Sequence, residues 1–340
     1  MRAVVFSGPG QFSLEDVPDP IPGPRDVLVR VEAVGICGTD IHVLDGEFAP
    51  TVFPIIPGHE TSGVVEAVGE EVTKLAPGDQ VSVDPTLTCG ECSFCSVGRG
   101  NLCENWNGAG VARTNGSTAE LMVMPVGNVH RLASEVDVAL AATIEPLSCA
   151  IRGYDLLPRR MGEHYLIYGA GTMGLLMAQL APRAGAASVT VVDRNPARLA
   201  AAEEVGVTQV ALSADDVKRP GGWEIVIDCT GVVPAIEDAL SRVRRGGTFQ
   251  QFGVAPTHAR ASFSPFRVYN DELTIAGSMA VLNTYGRAVE LFAAGAIKAD
   301  RMVSHAFTLD DYDQALEMFR DGSGRKLQVR PQSTESVKLS

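Results

Sequence analysis

The chain has 340 residues, of which 45% are hydrophobic and 20% charged, a composition that excludes a wholly disordered or collagen-like protein. That length suits roughly two domains, each able to bury its own core without disulfides. The formal net charge of −13 opposes binding to a phosphate backbone or an anionic membrane surface, and no cluster of Lys or Arg offsets it.

The opening Met1–Gly8 lacks the apolar stretch of a secretory signal and reaches a Gly/Pro turn at once, so a cytoplasmic protein is expected. Residues 1–135 read as short strands with frequent turns. Asp26–Val34 is rich in Val, and Gly63–Gly69 and Gln80–Val83 are similar runs bounded by Gly, Pro and Asp. Pro18, Pro20, Pro22 and Pro24 punctuate the first connection. From about residue 160 the texture changes to alternating strand and helix. His164–Tyr168, Ala187–Val192, Glu224–Asp228 and Thr248–Phe252 read as strands. Helices are expected from a Gly-rich turn to about Arg183, then over Arg198–Val205 and Ala235–Arg244. Such alternation argues for a parallel sheet covered on both faces. Tyr165–Pro182 carries no formal charge and imitates a membrane span of about 18 residues, but Gly169, Gly171 and Gly174 inside it favour a buried strand and helix. Beyond, Tyr285–Ala294 and Leu309–Arg320 read as amphipathic helices and Lys326–Arg330 as a final strand. The polar residues 331–340 read as a flexible tail.

Four of the seven cysteines, Cys89, Cys92, Cys95 and Cys103, crowd into one lobe. Four thiolates at tetrahedral corners saturate one Zn²⁺ and give it a structural role. An iron–sulfur cluster uses similar spacings, and four unbound thiols is the plainest alternative. Three further residues are scattered: Cys37, His59 and Glu145. Alone each is unremarkable, since a lone Cys or His is more often a core or hydrogen-bonded residue. Together they offer a thiolate, an imidazole and a carboxylate, with a fourth position left open, which is the donor set of a catalytic zinc.

Gly169-Ala-Gly171-Thr172-Met173-Gly174 follows the His164–Tyr168 strand and opens a helix. Asp193 ends the next strand, close to the separation of about 20 residues seen in dinucleotide-binding turns. The glycines permit a tight turn, approach of a pyrophosphate and close helix–strand packing. Asp193 would accept hydrogen bonds from adenosine ribose hydroxyls and repel a 2′-phosphate, so NAD is expected over NADP. Arg194 and Arg198 leave NADP open. Cys229-Thr230-Gly231 and Gly253-Val254 end later strands and would face the same crevice, or serve as ordinary turns.

The set Gly35-Ile36-Cys37-Gly38-Thr39-Asp40-Ile41-His42, Gly58-His59-Glu60-Thr61-Ser62-Gly63, the four-cysteine lobe and Glu145-Pro146-Leu147 resembles the zinc-dependent medium-chain dehydrogenases, over essentially residues 1–330. Within them it looks most like the polyol (sorbitol-type) group. The resemblance implies a GroES-like, β-rich catalytic domain over 1–152 and 281–340, and a doubly wound parallel-sheet Rossmann domain over 153–280. It implies catalytic zinc on Cys37, His59 and Glu145, with Glu60 a second carboxylate beside it and Asp40 orienting the His59 ring. Cys149 is the alternative to Glu145, because other members use cysteine as third ligand. Thr39 matches the family's hydroxyl relay position, and His42 the residue that hands a proton to solvent. Arg198 would lie beside the adenosine, and Ser278 and Met279 near the nicotinamide.

The implied reaction is oxidation of a secondary alcohol (polyol, sugar alcohol or cyclitol) to the ketone with NAD. Alternatives are a threonine-type amino alcohol, butanediol, or a nucleotide-binding protein without turnover. A metal-free quinone or enoyl reductase lacks these ligands. Arg113 and Asn283 are candidate hydroxyl contacts or surface residues. By analogy a homodimer or homotetramer is expected, paired along the apolar stretch Thr274–Val281.

Overall fold

The computed structural model describes residues 1–48 and 50–339. Two compact units divide the chain. The first is Met1–Glu145, Val281–Gly295 and Val303–Ser340; the second is Pro146–Ala280 with Ala296–Met302. The change of unit therefore falls at residue 145, inside the helix Ile144–Asp155, where the sequence placed it at 152. Residues 296–302 return to the second unit.

The first unit is built on an eight-stranded sheet. Its order is Val337–Lys338, Val303–Phe307, Lys326–Val329, Asp26–Gly35, Glu60–Val68, Gln80–Val83 and Val129–Arg131, with Leu121–Pro125 also pairing Asp26–Gly35. Asp26–Gly35 is the spine. Its Val27, Val29 and Val31 point to one face and are fully buried, as the two-residue pleat requires. They pack on Val65, Val81, Val83, Met122 and Met124. Burying each valine contributes on the order of 1.5 kcal/mol or more. Lys326–Val329 pairs antiparallel with the end of the spine, Gln328 opposite Gly35 and Val329 opposite Val34, so this strand lies against the segment leading to Cys37.

The last residues do not form the flexible tail expected of their polar composition. Val337–Lys338 pairs antiparallel with Val303–Phe307. Leu339 N donates to Ser304 O at 2.8 Å, and Ser336 Oγ accepts from Thr308 N at 3.0 Å. A short polar strand suits an exposed sheet edge. Ser340 lies outside the described residues.

The second unit carries a six-stranded parallel sheet in the order Gln209–Ala211, Ala186–Val192, Glu163–Tyr168, Trp223–Asp228, Val243–Gln251 and Thr274–Gly277. That is the doubly wound order 3-2-1-4-5-6, with the switch point beside the first strand. Tyr165, Leu166 and Ile167 are all fully buried, as a strand covered on both faces requires. The uncharged run after it is this strand followed by the buried helix Thr172–Leu180 and a 3₁₀ turn at Ala181–Ala184. Among the described residues no helix is long and apolar enough to cross a membrane. The α-helix stops short of Arg183 because Pro182 cannot continue its ladder, and Gly185 closes the turn at φ +97°. The helix read over Ala235–Arg244 is shorter, Val233–Ser241, and the next strand starts already at Val243.

Candidate metal centres and dinucleotide crevice

The four lobe cysteines converge. Cys89 and Cys103 Sγ atoms lie 3.5 Å apart, Cys92 and Cys103 3.9 Å, and Cys89 and Cys95 4.0 Å. Thiolates about 2.3 Å from a tetrahedral zinc stand about 3.8 Å from one another, so the set fits a single ion and leaves no room for a multi-iron cluster. None is in a disulfide. Gly90 and Gly98 supply the left-handed turns, at φ +75° and +74°, that let one loop present four sulfurs. Backbone amides of Cys95 and Glu104 pull the Cys92 thiol down to about 6. Loss of solvation and the neighbouring Cys92 push Cys95 up to about 12.

A second set forms where the spine strand ends. Ligand atoms of Cys37, His59 and Glu60 all lie within 4.8 Å of one another. Cys37 precedes the helix Gly38–Leu44, and Asp40 fixes that start: its Oδ2 accepts from Cys37 N at 2.8 Å, while Asp40 N donates to Cys37 O at 3.1 Å. This is a capping-box arrangement with an acid at the third helical position. The other oxygen, Asp40 Oδ1, stands 3.3 Å from His59 Nδ1. Burial would lower the His59 pKa, but the Asp40 carboxylate and Cys37 outweigh it and raise it well above the usual histidine value. Surroundings that hold a proton on an imidazole so strongly are negative, and negative surroundings favour any cation among these ligands.

His59 is placed by backbone packing. Ser117 N donates to Gly58 O at 3.0 Å and Thr118 N to Pro57 O at 2.9 Å. A Cβ at Gly110 or Gly116 would stand 2.2 Å from Gly58 O, so both positions must be glycine for the loop to close on Gly58. Glu60 begins the strand Glu60–Val68. Glu145 is buried in the first turn of Ile144–Asp155, with Cys149 half-buried farther along that helix. Thr39 Oγ1 lies 3.7 Å from Cys37 Sγ. His42, partly exposed on the same short helix, has Nδ1 2.8 Å from Glu47 Oε2. Arg113 and Asn283 are exposed.

Sequence reading missed Lys326. Its Nζ donates to Ile36 O at 2.9 Å and pairs with the Glu60 carboxylate, both side chains being 2% exposed. Burial works against the ammonium, yet Glu60 and Cys37 keep its pKa raised. A Cβ on Gly35 would lie 2.0 Å from Glu60 Oε2 and 2.7 Å from Lys326 Cε, so the pair occupies the space that glycine vacates. No local pattern signals this lysine; only the register of Lys326–Val329 on the spine brings it there.

In the second unit, the residues picked for the dinucleotide lie at or just beyond the C-terminal strand ends, where doubly wound sheets bind ligands. Gly169 adopts φ +96°. Gly171 precedes the helix whose first turn holds Thr172 and Met173. A Cβ on Gly174 would stand 1.7 Å from Gly169 O. Asp193 accepts from Ala170 N through Oδ2 and from Asn195 N through Oδ1, both at 2.8 Å, which joins it to the Gly-rich turn. Arg194 is exposed and Arg198 partly buried on the helix Pro196–Glu204. Cys229 N donates to Tyr168 O at 2.8 Å and Ser278 N to Gln251 O at 3.2 Å. Thr230 packs beside Gly169, while Val254 and Met279 are exposed.

Residues 23–134 match the alcohol dehydrogenase GroES-like domain family and residues 172–294 the zinc-binding dehydrogenase family. The chain is 36% identical to D-altritol 5-dehydrogenase of Agrobacterium fabrum, covering 92% of this chain and 94% of that protein. It is 32% identical both to D-arabinitol dehydrogenase 1 of Uromyces fabae (97% of each) and to L-threonine 3-dehydrogenase of Rhizobium rhizogenes (96% and 97%). Among solved structures, a zinc-binding dehydrogenase from Sinorhizobium meliloti bound to NADP superposes with a TM-score of 0.91 at 36% identity, covering 97% of this chain and 99% of that one. An alcohol dehydrogenase from Escherichia coli complexed with NADH gives 0.89 at 26%, covering 97% and 99%. With both of its halves matched in order and full-length relatives above 30% identity, the chain belongs to the zinc-binding dehydrogenases of the alcohol dehydrogenase family and is an oxidoreductase.

Proposed function

We propose that the protein oxidises a secondary hydroxyl of a polyol or sugar alcohol to the ketone, using NAD and two zinc ions per chain, one structural and one catalytic. The observation that carries this reading is the convergence of Cys37, His59 and Glu60 under the orienting Asp40. Zinc held in that set would supply Lewis acidity to a hydroxyl oxygen, and a nicotinamide cofactor would supply the hydride acceptor. Cys37 and His59 would hold the ion, with Glu145 as third ligand, as the resemblance to the polyol group implies. Glu60, anchored by Lys326, keeps a second carboxylate beside it. Thr39 and then His42 carry the hydroxyl proton toward solvent; Glu47 on Nδ1 leaves Nε2 of a neutral His42 ring as the acceptor. Cys89, Cys92, Cys95 and Cys103 hold the structural ion.

NAD is favoured by Asp193. Each of its oxygens takes one backbone amide and retains acceptor capacity for a ribose hydroxyl, and its charge opposes a 2′-phosphate. NADP is the second reading, carried by Arg194, next to it in sequence, by Arg198 on the following helix, and by the NADP bound to the S. meliloti relative. A threonine-type substrate is the rival on the alcohol side, since a threonine dehydrogenase is as similar to this chain as the arabinitol enzyme. We further propose a homodimer or homotetramer.

A steady-state screen of pentitols, hexitols, inositols, threonine and butanediol, each with NAD⁺ and NADP⁺, tests the reading. A polyol with NAD⁺ is expected to give the highest kcat/KM. Cys37→Ala is expected to lower kcat by about a thousandfold and the zinc content from two ions to one, with NADH binding retained. Unchanged turnover in Cys37→Ala would remove the zinc mechanism, and preference for threonine would replace the substrate.

A further inference from the structure

Asp228 ends the strand Trp223–Asp228 and is fully buried. It pairs with no cation among the described contacts; four hydrogen-bond donors converge on its carboxylate. Oδ1 accepts from Thr230 N at 3.1 Å and from Thr230 Oγ1 at 2.5 Å. Oδ2 accepts from Gly231 N and from Gln251 Nε2, both at 2.9 Å. Its main-chain oxygen takes Phe252 N at 3.0 Å and Gly253 N at 2.7 Å. Gln251 Nε2 also reaches Gly253 O at 2.7 Å, and Thr230 Oγ1 accepts from Val232 N at 3.0 Å.

These bonds lace together the loops after two neighbouring strands. They interlock sterically as well: a Cβ on Gly231 would stand 2.1 Å from Val254 O, and one on Gly253 2.4 Å from Gly231 N. Such a network exceeds what a turn needs, because a turn is closed by one or two bonds. In a sheet of order 3-2-1-4-5-6, the first three strands form one mononucleotide-binding half and the last three the other. Asp228 and the loops it ties belong to the second half, which meets the first where Cys229 N donates to Tyr168 O and Thr230 packs beside Gly169. The Gly-rich turn and Asp193 lie in the first.

We infer that Asp228 is a positioning residue for the nicotinamide half of the cofactor, holding the Cys229–Gly231 and Gly253–Val254 loops in the shape that half requires. The inference rests on the dinucleotide reading of this unit. Asparagine at 228 keeps the size but exchanges one acceptor oxygen for a donor. At least one of the two donor pairs then faces an N–H₂ group, and the loop it belongs to is released.

The test uses the full-length, zinc-loaded chain and two probes: NADH, and ADP, which carries the adenosine half without a nicotinamide ribose. Asp228→Asn is expected to weaken NADH on the order of ten- to a hundredfold and ADP by a much smaller factor, since Thr230 also packs beside Gly169 of the Gly-rich turn. Gln251→Leu removes one of the four donors and should weaken NADH by a smaller factor, again more than ADP. It serves if Asp228→Asn fails to fold. Equal weakening of both probes means a general loss of the unit and overturns the inference, as does unchanged NADH affinity in both variants. If the unsubstituted chain binds neither probe, the cofactor reading itself falls, and the inference with it.

Discussion

Lys326 and Glu60 form a buried ion pair that borders the Cys37–His59 set. Taking two charges out of water is costly, and their attraction repays it only while both are present. Removing one partner leaves a buried, uncompensated charge. Lys326→Met is therefore expected to destabilise the first unit by about 3–5 kcal/mol, read by urea unfolding. Lys326→Met with Glu60→Gln should recover part of that loss, because the orphaned carboxylate is gone. A double variant as unstable as the sum of the singles would show that the two side chains are not coupled. Asp228 follows the same logic with neutral donors in place of a cation: it is the number of groups converging on one buried carboxylate that marks it.

At the scale of elements, ties at the strand starts hold the parallel sheet as those at its C-terminal ends do. Glu224, on the Trp223–Asp228 strand, accepts from His164 N at 3.1 Å and engages Arg219 and Arg244. Burial would raise its pKa, but the Arg244 hydrogen bond and the backbone amides bring it to about 2. A carboxylate whose folded pKa is depressed stabilises the fold fully above its unfolded pKa of about 4.3 and loses that contribution as pH falls toward the folded value. The stability gap between the unsubstituted chain and Glu224→Gln should hold steady from pH 7 to 5 and narrow by pH 3. A gap independent of pH would contradict the charged tie. The lobe cysteines were readable in the sequence because all four lie in one short loop, and the Gly-rich turn because strand, turn and helix are consecutive. The Gly110 and Gly116 packing on Gly58, the Lys326 pair and the Asp228 network were not, since each joins segments that meet only once strands are in register. The C-terminal strand was hidden differently: its composition is polar, and edge pairing uses the backbone, which leaves no hydrophobic pattern.

For the molecule as a whole, the last strand of the parallel sheet, Thr274–Gly277, is an open edge with Ile275 45% exposed. An edge of this kind, bearing unpaired backbone groups, is a template for another strand. Light scattering is expected to give a multiple of the 35.9 kDa chain mass, and Ile275→Glu a smaller species. A monomer for the unsubstituted chain would end the oligomer proposal.

The first unit is also assembled from pieces far apart in time. Its spine strand is made early, but one neighbour of that strand, Lys326–Val329, is synthesised only after the whole of the stretch Pro146–Ala280. The second unit is nearly one continuous stretch, Pro146–Ala280. Domains usually fold amino-terminal first as a chain leaves the ribosome. Here that order is inverted. The nucleotide-type sheet can complete its strands while the amino-terminal half waits, the Val34–Gly35 end of its spine uncovered and Glu60 without its cation, until Lys326–Val329 has been made.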